Sequence, residues 1–419
     1  MKLEKKYLIL IVRRHSGEID WILPLIYKMI NNIELITIFS DEKSFESLNK
    51  NKIIYKFWKK KCNKFYIIKK NDKFFCKIIL KLFLFFKLNK LKSFVKLEKY
   101  IINKTFDINK LIEKLKINKN EIKLILTPII NLHSLPLILK NNIPGVKLIR
   151  FPESQWLNTI DFIKIKKLSR RIYCDKFTDF YLIAKAQNIN FFLGDKLKSE
   201  IKRKIIFCNF LKYEKWWINK IKISNKIDKK LVTIFTRPPD NVTLSVESYK
   251  YYIKSIINVL KKIIDVKIVF KIHPNLSETE LLKRTMKNFK NIDWRIDTNH
   301  PMTIASKSNF CISMLTSACL DCLAVNKKVI EFFDYSREIN KVGAIFSKTK
   351  KKWMSIYSRK NLVISVENET QLNLAISNIF LNKAESLFRL NIRQFKNLIS
   401  EGLDSKSVSR KIIKSIKSN

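Results

Sequence analysis

Hydrophobic residues in the first half of this chain fall in short runs that alternate with segments of helical periodicity. The segment EIDWILPLIYKMI (18–30) predicts a helix. Strands are predicted by KYLILIV (6–12), IELITIF (33–39), IKLILTP (122–128), VKLIRF (146–151) and DFYLIA (179–184). Near-continuous apolar strands that alternate with helices are typical of parallel sheets covered on both faces. This half of the chain is therefore predicted to be a doubly wound α/β domain.

The same alternation begins again after a linker predicted near 221–230. Strands are predicted by LVTIFT (231–236), VKIVFKI (266–272), NFCISM (309–314) and KVIEFF (328–333), with helices over about 246–263, 277–289 and 316–325. From about 368 the pattern is helical, and in architectures of this kind a C-terminal helix often crosses back to the first domain.

The predicted fold class is therefore α/β, with two Rossmann-like doubly wound domains that face a cleft, followed by C-terminal helices. We assign residues 1–225 to the first domain, 230–385 to the second and 386–419 to the C-terminal helices. Ligands of doubly wound sheets bind beyond the carboxyl ends of the strands, so the site is expected in the cleft between the domains.

Composition limits the classes of function. Hydrophobic residues make up 46% of the 419 residues, which excludes a disordered chain despite a net charge of +48. That charge predicts affinity for an anionic partner, although the codon bias of an AT-rich genome would enrich lysine in the same way. An odd number of cysteines, seven, and the absence of a secretory signal favour a reduced, cytoplasmic compartment. The longest apolar stretch, 74–86, is shorter than the ~20 residues that span a bilayer, so no transmembrane helix is predicted.

A basic segment over 55–104 interrupts the pattern of the first domain. It carries sixteen lysines against Asp72 and Glu98, interleaved with aromatic residues such as Trp58 and Phe65. One hypothesis is that it binds an anionic membrane surface, which would make the protein peripheral on the inner face of the cell membrane. The alternative is that its apolar residues are ordinary core and its lysines a solvated face. Nucleic-acid binding ranks lowest, because no recognised RNA-binding signature accompanies the lysines.

Polar side chains at the ends of second-domain strands are the main candidates for chemistry. His273 and Pro274 follow the strand 266–272 directly, where a histidine side chain faces the cleft. Ser313, Thr316 and Ser317 lie where a loop enters the helix 316–325, and hydroxyls there form an anion site with the backbone N–H groups of the first turn. Each of these residues alone is more often structural, as a helix cap or a satisfied histidine.

Together, FKIHPN and ISMLTSACLDCLAVNKKVIEF resemble the nucleotide-binding half of GT-B glycosyltransferases of bacterial surface-polysaccharide synthesis, such as sialyltransferases and polysialyltransferases. Related patterns occur in CDP-glycerol glycerophosphotransferases and relatives of UDP-N-acetylglucosamine 2-epimerase. The resemblance covers about 230–335. It extends into the first half through DFYLIAKAQNINFFLGDK, which looks like the last strand and helix of the family's first domain.

The resemblance assigns roles to individual residues. His273 and Pro274 match the pair that contacts the nucleotide phosphate of the donor, and Thr316 and Ser317 match the hydroxyl pair that holds the same phosphate. Glu331 falls where many GT-B enzymes keep an acid against the donor ribose. The chain departs from the family at Leu315 and Asn326, where relatives often have glycine; asparagine tolerates the left-handed conformation that such a turn needs.

The first domain is expected to bind the acceptor and supply a general base. In RRHSGEID, Gly17 lets the loop turn into a helix, and Arg13 and His15 are candidates to meet an anionic group, unless this is only a solvated loop. Glu153, after the strand 146–151, is the first choice of base, although PES stands where the family has an acidic pair followed by glycine.

The second choices of base are Glu18 and Asp20, with a capping or surface role as the alternative for these carboxylates. Arg237, in RPPD after a strand, is a further phosphate candidate, and a rigid turn explains the prolines equally well.

The predicted function is transfer of a sugar from a nucleotide-activated donor to a glycan or lipid-linked acceptor, inverting and without a metal or other cofactor. CLDC (319–322) with Cys311 is assigned to a buried helix rather than to a metal site. Within the same fold, transfer of glycerophosphate from CDP-glycerol and 2-epimerisation of a UDP-sugar are the alternatives. A non-catalytic basic protein that binds membrane or nucleic acid is the alternative from another class.

Overall fold

The structure is a computed structural model of the 419-residue chain. It describes residues 6–29, 33–68, 108–129, 135–152, 157, 177–189, 193, 199–222, 227–240, 243–273, 277–338 and 344–417. Within these ranges, no helix combines the length and apolar character needed to cross a bilayer. Of the basic segment, the structure covers only the part up to residue 68, so the membrane hypothesis for 69–104 lies outside the described residues.

The first domain is built on a parallel sheet of seven described strands in the order β3-β2-β1-β4-β5-β6-β7. These strands are β1 (Lys6–Val12), β2 (Ile33–Phe39), β3 (Cys62–Ile67), β4 (Ile122–Pro128), β5 (Lys147–Phe151), β6 (Phe180–Ala184) and β7 (Ile205–Cys208). The described helices of this domain are α1 (Ser16–Met29), α2 (Glu42–Lys50), α3 (Lys52–Lys61), α4 (Ile108–Leu115), α5 (Leu135–Asn142), α6 (Ser199–Arg203) and α7 (Lys215–Ile221).

The second domain is built on a parallel sheet of six described strands in the order β10-β9-β8-β11-β12-β15. Its strands are β8 (Leu231–Phe235), β9 (Lys267–Lys271), β10 (Asp293–Ile296), β11 (Phe310–Ser313), β12 (Lys328–Phe332) and β15 (Ile364–Val366), with an antiparallel hairpin of β13 (Ala344–Ser347) and β14 (Lys352–Ser355). Its helices are α8 (Val246–Leu260), α9 (Thr279–Met286), α10 (Pro301–Lys307), α11 (Ala318–Ala324), α12 (Ile356–Arg359) and α13 (Glu369–Phe380).

Both sheets are doubly wound, as the hydrophobic pattern predicts. Strand order reverses between β1 and β4 in the first sheet and between β8 and β11 in the second, which creates a crevice at the carboxyl ends of those strands. The strands predicted from the sequence are all present, and their ends move by at most one residue. One expectation was wrong: DFYLIA is not the last strand of the first domain, because β7 follows it and pairs with it at the sheet edge.

Alternating side chains of the central strands face two different cores. In β1, Leu8 and Leu10 belong to a hydrophobic cluster shared with the second domain, whereas Tyr7 and Ile9 belong to a cluster on the outer face of the first sheet. Cys311 of β11 faces the same shared cluster. Helices α1 and α11 therefore lie in a common layer between the sheets, and each begins where its own sheet has its switch point.

The C-terminal helices α14 (Glu385–Ile399) and α15 (Ser405–Lys417) return to the first domain, as predicted. Leu403 forms a parallel bridge with Cys208 of β7, and the Ser409 hydroxyl donates to the Lys28 carbonyl of α1 at 3.2 Å. A Cβ at Gly402 would lie 2.3 Å from the Cys208 carbonyl carbon, so glycine is required for this close approach of two backbones.

The described start of the basic segment is folded into the core. Trp58 in α3 is 1% exposed, and its indole Nε1 donates to the Thr37 hydroxyl at 2.9 Å. Phe65 lies in β3, the edge strand of the first sheet. For residues 55–67 the apolar side chains are therefore core and edge-strand residues with lysines on the solvent side, the alternative given for this segment.

Candidate active site

A cleft of about 260 Å³ lies between the carboxyl ends of the two sheets. Its first-domain wall is formed by the loop after β1, the start of α1, the junction of α2 and α3, and Lys212. The second-domain wall comes from the ends of β8 and β9, His300 at the start of α10, and the first turn of α11. The cleft lies at the position expected for the ligand of a doubly wound sheet.

Two histidines, one from each domain, face each other in this cleft. The imidazole rings of His15 and His273 lie edge to face, with 6.0 Å between their centroids. The Gly17 N–H donates to His15 Nδ1 at 3.1 Å, which leaves Nε2 as the protonated nitrogen of the neutral ring. Burial, together with the neighbouring His273 and Arg14, lowers the pKa of His15 to about 3. His15 is therefore a neutral hydrogen-bonding group at physiological pH.

The backbone at His273 is fixed by an acid that the sequence did not point to. The His273 N–H donates to Glu278 Oε1 at 2.7 Å, and the Thr236 hydroxyl donates to the same oxygen at 3.1 Å. Glu278 is 1% exposed. It links the ends of β8 and β9, so it holds the loop that carries His273 against the neighbouring strand.

The loop from β11 into α11 presents hydroxyls in different ways. The Ser313 hydroxyl is buried and donates to the Thr316 carbonyl at 3.3 Å, so it serves the loop itself. Thr316 Oγ1 accepts the Ala318 N–H at 3.4 Å in the manner of a helix cap. Ser317 makes no capping hydrogen bond through its side chain, and both Thr316 and Ser317 line the cleft.

Leu315 and Asn326, the two departures from the family pattern, both have positive φ, in the left-handed region. Leu315 has φ 46° and Asn326 has φ 56°. The expectation for Asn326 is confirmed. Leu315 is the greater surprise, because a leucine in this region costs about 1–2 kcal/mol. Its side chain is 7% exposed and belongs to the core of the second domain, which offsets that cost.

Arg237 and Glu331 lie behind the loop rather than among the residues that line the cleft. Arg237 Nη1 donates to the Leu315 carbonyl at 3.4 Å, and its Nη2 donates to the Thr243 hydroxyl at 3.1 Å. Glu331 is 2% exposed and accepts a short hydrogen bond from the Ser355 hydroxyl. Burial raises the pKa of Glu331 to about 7, against the opposing effect of Ser355.

Of the acids proposed as the base, the structure describes two. The Arg13 N–H donates to Glu18 Oε2 at 2.6 Å, and Glu18 is fully buried, so its carboxylate closes the turn between β1 and α1. Asp20 lines the cleft. Glu153 and Pro274 lie outside the described residues, and their assigned roles stay predictions.

Asp20 belongs to a buried group of charges on the cleft wall. The Lys212 ammonium lies 3.0 Å from Asp20 Oδ2 and 2.8 Å from Asp321 Oδ1, and His300 Nε2 lies 3.1 Å from Asp20 Oδ2. Burial alone would raise the pKa of Asp20, but Lys212 and His300 hold that pKa well below its usual range. A carboxylate stabilised in this way is a weak proton acceptor.

Two further cleft residues were missed by the sequence reasoning, Lys271 and Lys50. Lys271 is 8% exposed, its Nζ donates to the Ile272 carbonyl at 3.1 Å, and burial lowers its pKa to about 8. The sequence did contain a signal for Lys271, which follows the apolar run IVF and lies two residues before His273, on the same face of the strand. Among the described residues, no group of three or more His, Cys, Asp or Glu side chains could hold a metal ion.

No protein-family model matches this chain, and no curated protein matches it in sequence. Solved structures do match its fold over nearly the whole length. The S. aureus MnaA protein, solved with UDP, superposes with a TM-score of 0.56 at 12% identity, covering 98% of this chain and 96% of that one. The UDP-GlcNAc 2-epimerase of Methanocaldococcus jannaschii, in complex with UDP-GlcNAc and UDP, gives 0.54 at 14% identity, covering 97% and 99%.

A glycosyltransferase from Rickettsia africae ESF-5 gives a TM-score of 0.50 at 13% identity, covering 99% of this chain and 98% of that one. With these neighbours and its two doubly wound sheets, the chain has the GT-B fold, as the resemblance implied. At these identities the likeness establishes the fold and not the activity.

Proposed function

We propose that this protein is an enzyme that acts on a nucleotide-activated sugar, and that it transfers the sugar to a hydroxyl of a glycan or glycolipid acceptor. The observation that carries the proposal is the meeting of His15 and His273 across a cleft formed at the switch points of both sheets. Two proteins of similar fold, S. aureus MnaA and the M. jannaschii UDP-GlcNAc 2-epimerase, were solved with UDP bound.

On the second-domain side, the proposed phosphate ligands are Lys271, His273 and the hydroxyls of Thr316 and Ser317. All four line the cleft, and they offer one cation and several hydrogen-bond donors. Negative charge that develops on the leaving nucleotide would be stabilised there by groups already in place. The first domain is proposed to receive the acceptor, with the neutral His15 as a hydrogen-bonding group.

For the general base, Glu153 remains the first candidate, because the two alternatives have other contacts. Glu18 is bonded to the Arg13 N–H, and Asp20 is paired with Lys212 and His300. In this scheme the base takes the proton of the acceptor hydroxyl as its oxygen attacks the anomeric carbon, and the nucleotide departs with its phosphate. No metal is invoked, and inversion follows only from the sialyltransferase-like pattern.

A 2-epimerase activity is the second candidate function. The structural similarity to the M. jannaschii UDP-GlcNAc 2-epimerase favours it. The two reactions differ in their products. Epimerisation converts a UDP-sugar into an isomeric UDP-sugar with no acceptor present, whereas transfer releases the nucleotide.

Calorimetric titration with UDP, CMP and CDP tests the donor site. His273→Ala should weaken nucleotide binding by about 10- to 150-fold, the value of one hydrogen bond to a charged group. Lys254→Ala, an exposed position on α8, is the control. If none of the three nucleotides binds the wild type, or if His273→Ala binds as well as the control, the assignment is wrong.

Incubation with UDP-N-acetylglucosamine, followed by NMR, separates the two candidate reactions. An isomeric nucleotide-sugar would establish epimerisation, and release of UDP that depends on an added acceptor would establish transfer.

Glu153→Gln should retain nucleotide affinity and lose turnover. A polyanion-binding protein would instead show salt-sensitive binding of nucleic acid or vesicles and no turnover.

Peripheral membrane association remains part of the proposal, restricted to 69–104 because residues 55–67 are used by the fold. The test is binding to phosphatidylserine vesicles before and after deletion of 69–104. Vesicle binding that survives the deletion would refute the proposed membrane-binding segment.

A further inference from the structure

Two helices, one from each domain, begin at the cleft, and residues of both first turns line it. Helix α1 starts at Ser16, directly after His15, and α11 starts at Ala318, directly after Thr316 and Ser317. Asp20 lies just over one turn into α1, and Asp321 lies one turn into α11. Each carboxylate therefore lies on the helix that begins at its own half of the candidate site.

The Lys212 ammonium lies between these two carboxylates. It is 3.0 Å from Asp20 Oδ2 and 2.8 Å from Asp321 Oδ1, and all three side chains are less than a tenth exposed. Lys212 itself comes from the 3₁₀ turn Leu211–Tyr213 that follows β7, so it belongs to the first domain. Its bond to Asp321 crosses to the second domain.

A second bond crosses the boundary beside it. His300 Nδ1 accepts the Met302 N–H at 3.2 Å, so the ring proton lies on Nε2, which is 3.1 Å from Asp20 Oδ2. Asp20 thus receives one group from its own domain and one from the other. Lys212 and Asp20 each link the domains, and both line the cleft.

Stability alone does not account for this group of charges. Buried ion pairs commonly contribute no more than apolar side chains of the same volume, because desolvation of the charges opposes their attraction. The surrounding interface is already apolar: Trp21, Leu320 and Cys319 belong to the cluster shared by both domains. What charges add to such an interface is a fixed distance between specific atoms.

We propose that Lys212 is a positioning residue that holds α1 and α11 at a fixed spacing. Nucleotide bound at Thr316 and Ser317 then also stabilises the first turns of α1, on the His15 side of the cleft. The proposal rests on the nucleotide site of the proposed function. It makes Lys212 the link between the two halves of the site, without contact to the reacting atoms.

Hydrogen exchange of the full-length protein, with and without UDP or CMP, tests this link. In the wild type, nucleotide should slow exchange of the α1 amides at 20–23 by about 5- to 150-fold, the usual range for coupled sites. In Lys212→Met the nucleotide should still bind, and that slowing should disappear. Lys230→Met, which removes an exposed pair with Asp265 at 2.6 Å, is the matched control and should behave as wild type.

A second variant guards against simple misfolding, because Lys212→Met leaves two buried carboxylates without their cation. The triple variant Asp20→Asn, Lys212→Met, Asp321→Asn replaces all three charges by uncharged groups of similar volume, so that none of the three leaves a buried charge without its partner. We expect it to unfold at a urea concentration close to that of wild type and still lack the nucleotide-dependent slowing. Equal slowing in the triple variant and the wild type would overturn the proposal.

Failure of the proposed function gives a different result. If neither UDP nor CMP binds the wild type, the nucleotide site is refuted, and the ligand-free samples still decide the role of Lys212. Faster exchange at both 20–23 and 321–324 in the triple variant, with α8 unchanged, supports the link between the helices. Unchanged exchange at both segments refutes it.

Discussion

His15 and His273 come from different domains, yet their rings meet at 6.0 Å and at nearly a right angle inside the cleft. Each lies within three residues of the end of a parallel strand, β1 in one sheet and β9 in the other. Desolvation, the neighbouring His273 and Arg14 all oppose a positive charge on His15. The pair therefore joins the two halves of the cleft, and the lowered pKa of His15 makes folding sensitive to acid.

The first prediction concerns that sensitivity. Below its ordinary pKa of 6.5, the His15 of the unfolded chain takes up a proton that the folded protein refuses until about pH 3. The unfolded state then binds more protons, so His15 lowers the stability as the pH falls, by up to about 1.4 kcal/mol per pH unit. His15→Asn keeps an acceptor for the Gly17 N–H and removes the titration. Urea unfolding at about pH 7 and about pH 5 should show a smaller loss for His15→Asn than for wild type; parallel losses would contradict the assigned cause.

The second prediction concerns Gly17, where a substitution should lower nucleotide affinity without lowering the free energy of unfolding. A Cβ at Gly17 would lie 2.9 Å from His15 Nδ1, so Gly17→Ala must displace the imidazole ring. The displaced ring presses on His273, a proposed phosphate ligand, so we expect nucleotide affinity to fall about tenfold, the value of one hydrogen bond. Stability should hold or rise by up to about 1 kcal/mol, because alanine favours the helix.

Gly145→Ala is the control for Gly17→Ala, because it should lower stability and leave nucleotide affinity unchanged. Gly145 has φ 67° with nothing within 4 Å of a Cβ, so alanine there should cost about 1–2 kcal/mol in unfolding free energy and leave nucleotide affinity unchanged. Calorimetry and urea unfolding of the two variants give the comparison. Loss of affinity in both, or in neither, would show that the contact with His15 does not matter.

The sequence predicted the central strands of both sheets because these strands are buried on two faces and are almost entirely apolar. It missed the strands at the edges, β3, β7, β10 and β15. Two of these edge strands, CNKFYI and DWRI, carry charged residues, which discourage pairing with other chains, and the other two, IIFC and ISV, have only four and three residues. In β3 this polarity hid a strand inside what the sequence presented as a uniform basic segment.

The candidate site divides in a similar way. His15, His273, Thr316 and Ser317 could be found because each stands at the end of an apolar run, where topology alone sends it to the cleft. Lys212 could not, because it enters through a 3₁₀ turn, and its partners are 192 and 109 residues away in the chain. Such pairings are created by the packing of the two domains and leave no local signal.

Leu315 is the residue whose conformation conflicts with its type, and it gives the last prediction. Its φ of 46° favours glycine, while its side chain is 7% exposed in the core of the second domain. Leu315→Ala loses the burial and keeps the left-handed strain, whereas Leu315→Gly loses the burial and relieves about 1–2 kcal/mol of strain. The variant with glycine at 315 should therefore be more stable than the alanine variant by about 1 kcal/mol, measured by urea unfolding.

Leu320, fully buried in the following helix, is the matched position. There the alanine variant should be more stable than the glycine variant by about 1 kcal/mol. The same order at both positions would show that the turn before α11 relaxes on substitution, and that the loop of Thr316 and Ser317 is not held by its backbone.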